Sequence, residues 1–392
     1  MGKIGIGIVG AGFAANFHAR MYHELAALGA QVVAVASRTG EKAQELAHRY
    51  EIPRVMTDYH ELLRQSDVDI VDLCVPNYLH HEVAVAAAQA GKHIICEKPL
   101  TGYFGVGEED VGRTPRPHML EVALKSADEM VHAAAQWGVK LMYAENWVYA
   151  PAIQKVRALV AASGGAILDL RGEESHHGSA SSYAKHWRYT GGGALIRLGS
   201  HPIGAMLHLK RSEGMRRYGR PIGVSAVTAV TGTLTQTESF RDNPPQWLVH
   251  DWVDVENWAT VILSFDDGSR GVVIASDNCL GGIKDTLDVF MSNARIRCNF
   301  SRNNLLEAYA PDPQVFADEY IVEKLETKAG WSFPSVDEEW AQGYRLELED
   351  FVRAVQEDRA PLADGLLGRE VVSVIYHAYL SAEQGWTVTI SS

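Results

Sequence analysis

Three short stretches carry side chains whose types and spacing could do chemistry. "GGGALIRLGSHPIG" (191–204) runs three glycines into an apolar segment bearing Arg197 and His201. Four residues apart on a helix, the two side chains share one face, so a permanent cation would stand beside an imidazole. "ICEKPL" (95–100) closes an apolar run with Glu97 and Lys98 next to Pro99, and an X-Pro bond at a strand end can be cis. "GIVGAGFAANFHA", near the start, places Gly10, Gly12 and Ala15 in the spacing G-x-G-x-x-G/A, with Phe13 and Ala14 between.

That glycine spacing has a mechanism. The first glycine permits a tight strand-to-helix turn and the second lets the backbone approach a pyrophosphate. The small third residue allows the helix to pack closely on the strand. The helix N-terminus then offers free N–H groups and a positive dipole end to the phosphates. The expected ligand is a nicotinamide dinucleotide. The end of the second strand should read its ribose, and there the chain runs "AVASRTGEKA". Ser37, Arg38 and Thr39 offer donors and a cation, with no acid before Glu41. This suits a 2′-phosphate and favours NADP over NAD, for which an acidic residue would accept from the 2′-hydroxyl. Arg38 as a solvated loop charge, or stacked on adenine with either cofactor, is the other reading.

The elements that must position these residues follow from hydropathy patterning. Apolar runs at 3–10, 31–37, 69–75, 93–99 and 140–146 alternate with Ala-rich helical stretches such as 81–90 and 119–137. Near-continuous apolar strands alternating with helices predict a parallel sheet covered on both faces. "TGYFGVGEEDVGRTPRP" (101–117) interrupts the pattern as a long loop. After residue 150 the strand-like runs are 166–175, 223–235, 255–265, 271–277 and 285–292, with "DDGS" (266–269) as a hairpin turn. They predict a mostly antiparallel sheet. Residues 340–357 and 366–383 read as amphipathic helices. At 392 residues two domains are expected, over 1–146 and 147–392.

Composition excludes other classes. Apolar residues make up 46% and charged residues 22%, ordinary values for a globular protein. A net charge of −13 argues against nucleic acid or an anionic membrane as partner. Cys74, Cys96, Cys279 and Cys298 are scattered without a CxxC pair, which points to free thiols in a reducing, cytoplasmic setting. The apolar N-terminal run lacks a convincing cleavage site, so a signal peptide is not expected, and no stretch is long enough to span a bilayer.

Taken together, "GIVGAGFAANFHA", "VPNYLHHEVAVAAAQAGKHIICEKPL" and "GGGALIRLGSHPIG" resemble the glucose–fructose oxidoreductase / inositol dehydrogenase (Gfo/Idh/MocA) family. So do "ENWATVILSFDDGSRGVVIAS" and "PLADGLLGREVVSVIYHAYLSAEQG". The resemblance covers nearly the whole chain. It implies an α/β Rossmann domain followed by an α+β domain on an open, mostly antiparallel sheet, with C-terminal helices returning towards the first domain. It also implies NAD(P)-dependent oxidation or reduction of a carbinol on a sugar, sugar acid, glycoside or cyclitol, by a homodimer or homotetramer. Carried over, Lys98 sits near the reacting hydroxyl and the nicotinamide, and His201 is the acid–base. Pro76, Asn77 and His80 line the nicotinamide side, with Glu97 and Lys98 also at the cofactor. The chemistry is coherent. A neutral imidazole can take the hydroxyl proton, an ammonium stabilises the developing alkoxide, and the cofactor carries the hydride.

At Arg197 the chain departs from the family's usual aspartate. Arginine cannot accept a hydrogen bond. It is expected either to form a fork for an anionic substrate group, or to turn away and pair with an acid such as Asp169 or Glu173. Further candidate substrate contacts are Asn146, Tyr149, His176, His186 and Trp187, and "DNPPQWLVHDW" (242–252) is a candidate sugar-binding loop or subunit contact. Adjacent His176 and His177 on a strand point to opposite faces, so no metal is expected. Two other readings remain open: a glycoside-cleaving enzyme that oxidises transiently with a retained cofactor, and a catalytically idle cofactor sensor.

Overall fold

The computed structural model describes residues 2–105, 107–243, 246–301 and 305–390. Pro244 and Pro245 of the 242–252 stretch, and Val106 of the 101–117 loop, lie outside them. The chain forms two compact units. The first comprises residues 1–103, 121–146 and 344–372, and the second 104–120, 147–343 and 373–392.

The first unit holds six strands: β1 (Ile4–Val9), β2 (Ala30–Ala36), β3 (Val55–Met56), β4 (Ile70–Leu73), β5 (His93–Glu97) and β6 (Leu141–Ala144). They pair in the order β3-β2-β1-β4-β5-β6, every pair parallel. β1, β4 and β6 are buried along their whole length, as strands covered on both faces must be. β3, two residues long, is too short to leave a hydropathy signal. Helix Phe13–Glu24 turns Ala15, His18, Ala19 and Tyr22 to the interior at helical spacing. In the 101–117 loop, Val111–Arg113 form a single 3₁₀ turn.

The second unit is built on β7 (Ile167–Ser175), β8 (Val224–Gly232), β9 (Trp258–Phe265), β10 (Arg270–Ser276), β11 (Lys284–Met291) and β12 (Arg295–Asn299). β13 (Ala308–Ala310) and β14 (Gly330–Ser332) form a separate ribbon, and β15 (Val388–Thr389) joins the main sheet. The sheet order is β12-β11-β7-β10-β9-β8-β15, and only the β7–β10 pair is parallel. Helix Ser200–Tyr218 lies on one face, close enough that a side chain at Gly172 of β7 would strike Pro202 and Met206. On β7, Leu170, Gly172 and Glu174 face this covered side. The expected helix over 340–357 is broken: Gly343 takes φ +90° and divides it into Glu338–Gln342 and Tyr344–Gln356.

Candidate active site

The first unit carries a cavity of about 480 Å³ at the C-terminal ends of β1, β2 and β4. This is where the strand order reverses on either side of β1, the place an open α/β sheet presents to a ligand. Gly10, Gly12, Ser37, Arg38, Thr39 and Pro76 line it. Gly10 sits at φ +116°, and a side chain there would run into the Cys74 carbonyl. Gly12 has nothing within 4 Å of where its Cβ would stand, so the backbone is open to a ligand. Helix Phe13–Glu24 begins with no side-chain cap and no acid in its first turn, leaving its N–H groups to an anion. These features fit a dinucleotide pyrophosphate.

Lys42, on helix Gly40–Arg49, lines this cavity and also a smaller recess beside Gly12, Phe13 and Asn16. Sequence reading passed over it, although it lies one turn beyond Arg38–Thr39. Ala14 and Asn77 are not among the cavity's lining residues. His80 was expected on the nicotinamide side. It is fully buried, with Nδ1 2.9 Å from the Pro99 carbonyl oxygen and Nε2 3.2 Å from that of Val75. Burial holds its pKa below the usual imidazole range. It ties the 75–80 loop to the 97–100 turn and does not line the cavity.

The Lys98–Pro99 peptide is cis. Both oxygens of the Glu97 carboxylate have partners: Oε2 accepts the Lys98 backbone N–H at 3.1 Å, and Oε1 lies 3.0 Å from His18 Nε2. Burial would raise its pKa, but His18 and Lys98 hold it below the usual carboxylate value.

In the second unit, Arg197 and His201 do not share a helix. Arg197 ends the four-residue helix Ala194–Arg197, and His201 opens the next, Ser200–Tyr218. The intervening Leu198 and Gly199 turn the two side chains to different partners. His201 stacks on Trp147 (5.8 Å between centroids, 19° between planes), and its Nε2 lies 3.7 Å from Glu174 Oε2. Trp147 is braced edge-on by Phe300. Arg197 donates to Asp277 and lies 5.0 Å over the Trp252 ring. Its expected partners are otherwise occupied, Asp169 by Arg171 and Glu173 by Lys284. Asp277 is fully buried, and burial raises its pKa while Arg197 pulls it down.

Three glycines precede this pair for a packing reason. Gly191 and Gly192 take positive φ. A side chain at Gly192 would meet the Tyr379 hydroxyl, and one at Gly193 the Glu256 carbonyl. Buried Glu256 accepts the Gly193 and Leu195 N–H groups at 3.0 and 2.9 Å and the Tyr379 hydroxyl at 2.8 Å. The helix start at Ala194 is therefore capped from within, and these glycines allow close packing. Glu174 and Glu256 were both missed in the sequence. The alternation Leu170–Gly172–Glu174 could have marked the first as an inward acid; nothing local marks the second.

Among the other candidates, Trp187 is buried under Arg116 (4.3 Å to the ring) and against Tyr379 (4.9 Å). Asn146 and Tyr149 are buried. His176 accepts the Gly178 N–H on Nδ1 at 2.9 Å, with Asp277 Oδ1 3.6 Å away. His186 lines a separate cavity of about 700 Å³ with Glu109, Asp110, Arg188 and Tyr189.

Comparison with known proteins agrees with this architecture. Residues 4–108 match the GFO_IDH_MocA model, an oxidoreductase family with an NAD-binding Rossmann fold, and 153–297 match the GFO/IDH/MocA C-terminal domain. Levoglucosan dehydrogenase of Pseudarthrobacter phenanthrenivorans is 27% identical over 385 residues, covering 91% of this chain and 90% of that protein. Mouse trans-1,2-dihydrobenzene-1,2-diol dehydrogenase is 31% identical over 192 residues, covering 48% and 51%. Among solved structures, GenD2 from gentamicin A biosynthesis in complex with NAD superposes with a TM-score of 0.80 at 24% identity, covering 100% of this chain and 97% of that one. A levoglucosan dehydrogenase complexed with NADH and levoglucosan gives 0.74 at 22% identity, with both chains covered fully. With both halves matched and the dinucleotide cavity in place, the chain belongs to the Gfo/Idh/MocA oxidoreductase family.

Proposed function

We propose that the chain is an NADP-preferring oxidoreductase that moves a hydride between nicotinamide and a secondary hydroxyl or ketone of an uncharged sugar, glycoside or cyclitol. The fingerprint cavity, in a chain whose two halves both match the family, carries the oxidoreductase reading. The named relatives act on an anhydrosugar and a cyclic diol, which supports the substrate class. NADP is favoured because Arg38 and Lys42 line the ribose end of the cavity, with Ser37 and Thr39 as donors. Bound there, the cofactor would supply the hydride acceptor. Lys98 would provide the ammonium that steadies an alkoxide, and His201 the base that takes the hydroxyl proton. Trp147 and Glu174 fix the ring plane and charge environment of His201.

The Arg197–Asp277 pair supports an uncharged substrate. An arginine already facing a buried carboxylate offers little net charge to an anion, and Glu174 lies beside His201. We also infer a homo-oligomer, because the outward sheet face exposes Val230 and Ile262 beside Val272 and Ile274, and light scattering reads its mass. The four cysteines are free, in keeping with a reducing, cytoplasmic setting, and no helix of the described residues is long and apolar enough to cross a membrane.

The test is a panel of levoglucosan, myo-inositol, methyl glucosides, glucose and glucuronate, each with NAD and NADP. Growth of absorbance at 340 nm with a neutral member and NADP is expected. Turnover of glucuronate alone would overturn the substrate class. Release of methanol from a glucoside with no net absorbance change would instead favour cleavage through transient oxidation.

A further inference from the structure

Beneath the cofactor cavity the first unit buries a set of ionisable groups that the glycine fingerprint does not need. His18 lies on the inward face of helix Phe13–Glu24, and Asp72 stands in the middle of β4, where a fully buried strand ordinarily carries only apolar residues. His18 Nδ1 is 2.8 Å from Asp72 Oδ2, and His18 Nε2 is 3.0 Å from Glu97 Oε1. The Tyr22 hydroxyl donates to Asp72 Oδ2 at 2.8 Å, and the Cys74 thiol to Asp72 Oδ1 at 3.6 Å. The other oxygen of Glu97 holds the backbone N–H of Lys98.

We propose that His18 is a doubly protonated clamp. Held between Asp72 and Glu97, it fixes the Glu97 carboxylate on the Lys98 N–H and so sets the position of that lysine. The inference rests on Lys98 acting at the reacting hydroxyl. His18 is then a positioning residue, remote from the substrate.

Hydrogen counting carries the argument. Each ring nitrogen faces a carboxylate oxygen at hydrogen-bond distance, an ionised carboxylate only accepts, and a neutral imidazole has a single N–H. Only the imidazolium satisfies both contacts. A buried cation is tolerable where two anions flank it. The charge of Lys98, like that of His18, pulls Glu97 down, while three further groups beside the cluster are shifted up. Burial pushes the Cys74 thiol up to about 12. Burial, then the charge of Asp72, lifts Tyr22 well above its ordinary value. Burial and the charge of Glu97 lift Glu347 likewise. Burial alone would lower His18, but Asp72 and its hydrogen bond raise it well above the ordinary imidazole value. His80 makes the contrast: its two contacts are neutral carbonyls, and it stays low.

His18, Asp72 and Cys74 also bring three potential metal-ligand atoms within 4.8 Å of one another. The 2.8 Å separation of His18 and Asp72 is that of a hydrogen bond, whereas nitrogen and oxygen ligands about 2.1 Å from a tetrahedral ion stand roughly 3.4 Å apart.

The test uses the full chain. With ¹⁵N-histidine labelling at pH 8, one ring should show both nitrogens protonated, and His18→Gln should remove that signal. Competitive acetylation read by mass spectrometry should show Lys98 reacting several-fold more slowly in His18→Gln, because Glu97 is then less neutralised, while Lys92 is unmoved. NADPH affinity should stay within about threefold, and turnover of the best panel substrate should fall at least about tenfold, with no further loss when Lys98 is already alanine. If His18→Gln does not fold, Glu97→Gln serves: it removes one ionised partner, and the doubly protonated signal should disappear by pH 8. A neutral His18 in the wild-type spectrum at pH 7 overturns the proposal. Losses that add to that of Lys98→Ala, or stoichiometric zinc that His18→Gln lacks, do so as well. Failure of Lys98→Ala itself to lower turnover would instead count against the proposed role of the lysine.

Discussion

The guanidinium of Arg197 is bound to Asp277, 80 residues further along the chain, and lies 5.0 Å over the Trp252 ring. Removing one member of such a pair leaves the other buried without compensation. Arg197→Ala should lower stability by about 3–5 kcal/mol, whereas Arg197→Met with Asp277→Leu should lose much less. Burial already raises Asp277, so protonation favours the folded state. That contribution is present at low pH and disappears as pH rises through the folded pKa, so the deficit of Arg197→Ala should grow from acid to neutral pH. Urea titrations at two pH values decide it, and equal deficits would count against the pairing.

Gly10 and Gly12 should behave differently although both belong to the fingerprint. Gly10→Ala must place a side chain against the Cys74 carbonyl at positive φ, so folding itself should suffer, by about 2 kcal/mol or more. Gly12→Ala has open space and negative φ; its melting temperature should be unchanged while NADPH affinity falls at least about tenfold. Thermal melts and fluorescence titration separate the two.

If Arg38 and Lys42 read a 2′-phosphate, replacing both with alanine should weaken NADPH by about two orders of magnitude and leave NADH within about threefold. Equal loss for both cofactors would mean the cations serve only the shared phosphates.

Glu174→Gln keeps the shape beside His201 and deletes the charge. Turnover should fall roughly 10- to 100-fold with stability nearly preserved. Unchanged kcat would remove Glu174 from the proposed machinery.

His208 offers a pH test unconnected with catalysis. Burial, then the charges of Arg157 and Arg211, lower its pKa to about 3. Below its unfolded value near 6.5 the unfolded chain binds a proton that the native state refuses until about pH 3, so stability falls with pH by about 1.4 kcal/mol per unit in that window. Between pH 6.5 and 5 the wild type should lose about 2 kcal/mol more than His208→Leu.

Much of the architecture is local and was legible. Both sheets, the DDGS hairpin at Gly268 and the dinucleotide fingerprint follow from runs of apolar residues, their period and a few glycines, because burial and backbone sterics act over neighbouring residues. The break at Gly343 was legible in principle and missed, since a helical period ran through it on both sides.

What the tertiary structure alone decided are the partners of charges. Arg197 was expected at Asp169, Glu173 or a substrate anion. Asp277 meets it because parallel pairing of β10 with β7 sets Ser276 against Ser175, bringing the residue after β10 to the end of β7. Glu174 reaches His201 because β7 turns Leu170, Gly172 and Glu174 to the side covered by helix Ser200–Tyr218. Glu256 caps the glycine segment from 61 residues away, and His18 meets Asp72 and Glu97 from three different elements. Periodicity tells a chain which side of an element is buried. It carries no register between distant elements, and a hydrogen bond or ion pair, with its reach of about 3 Å, depends on register to within one residue.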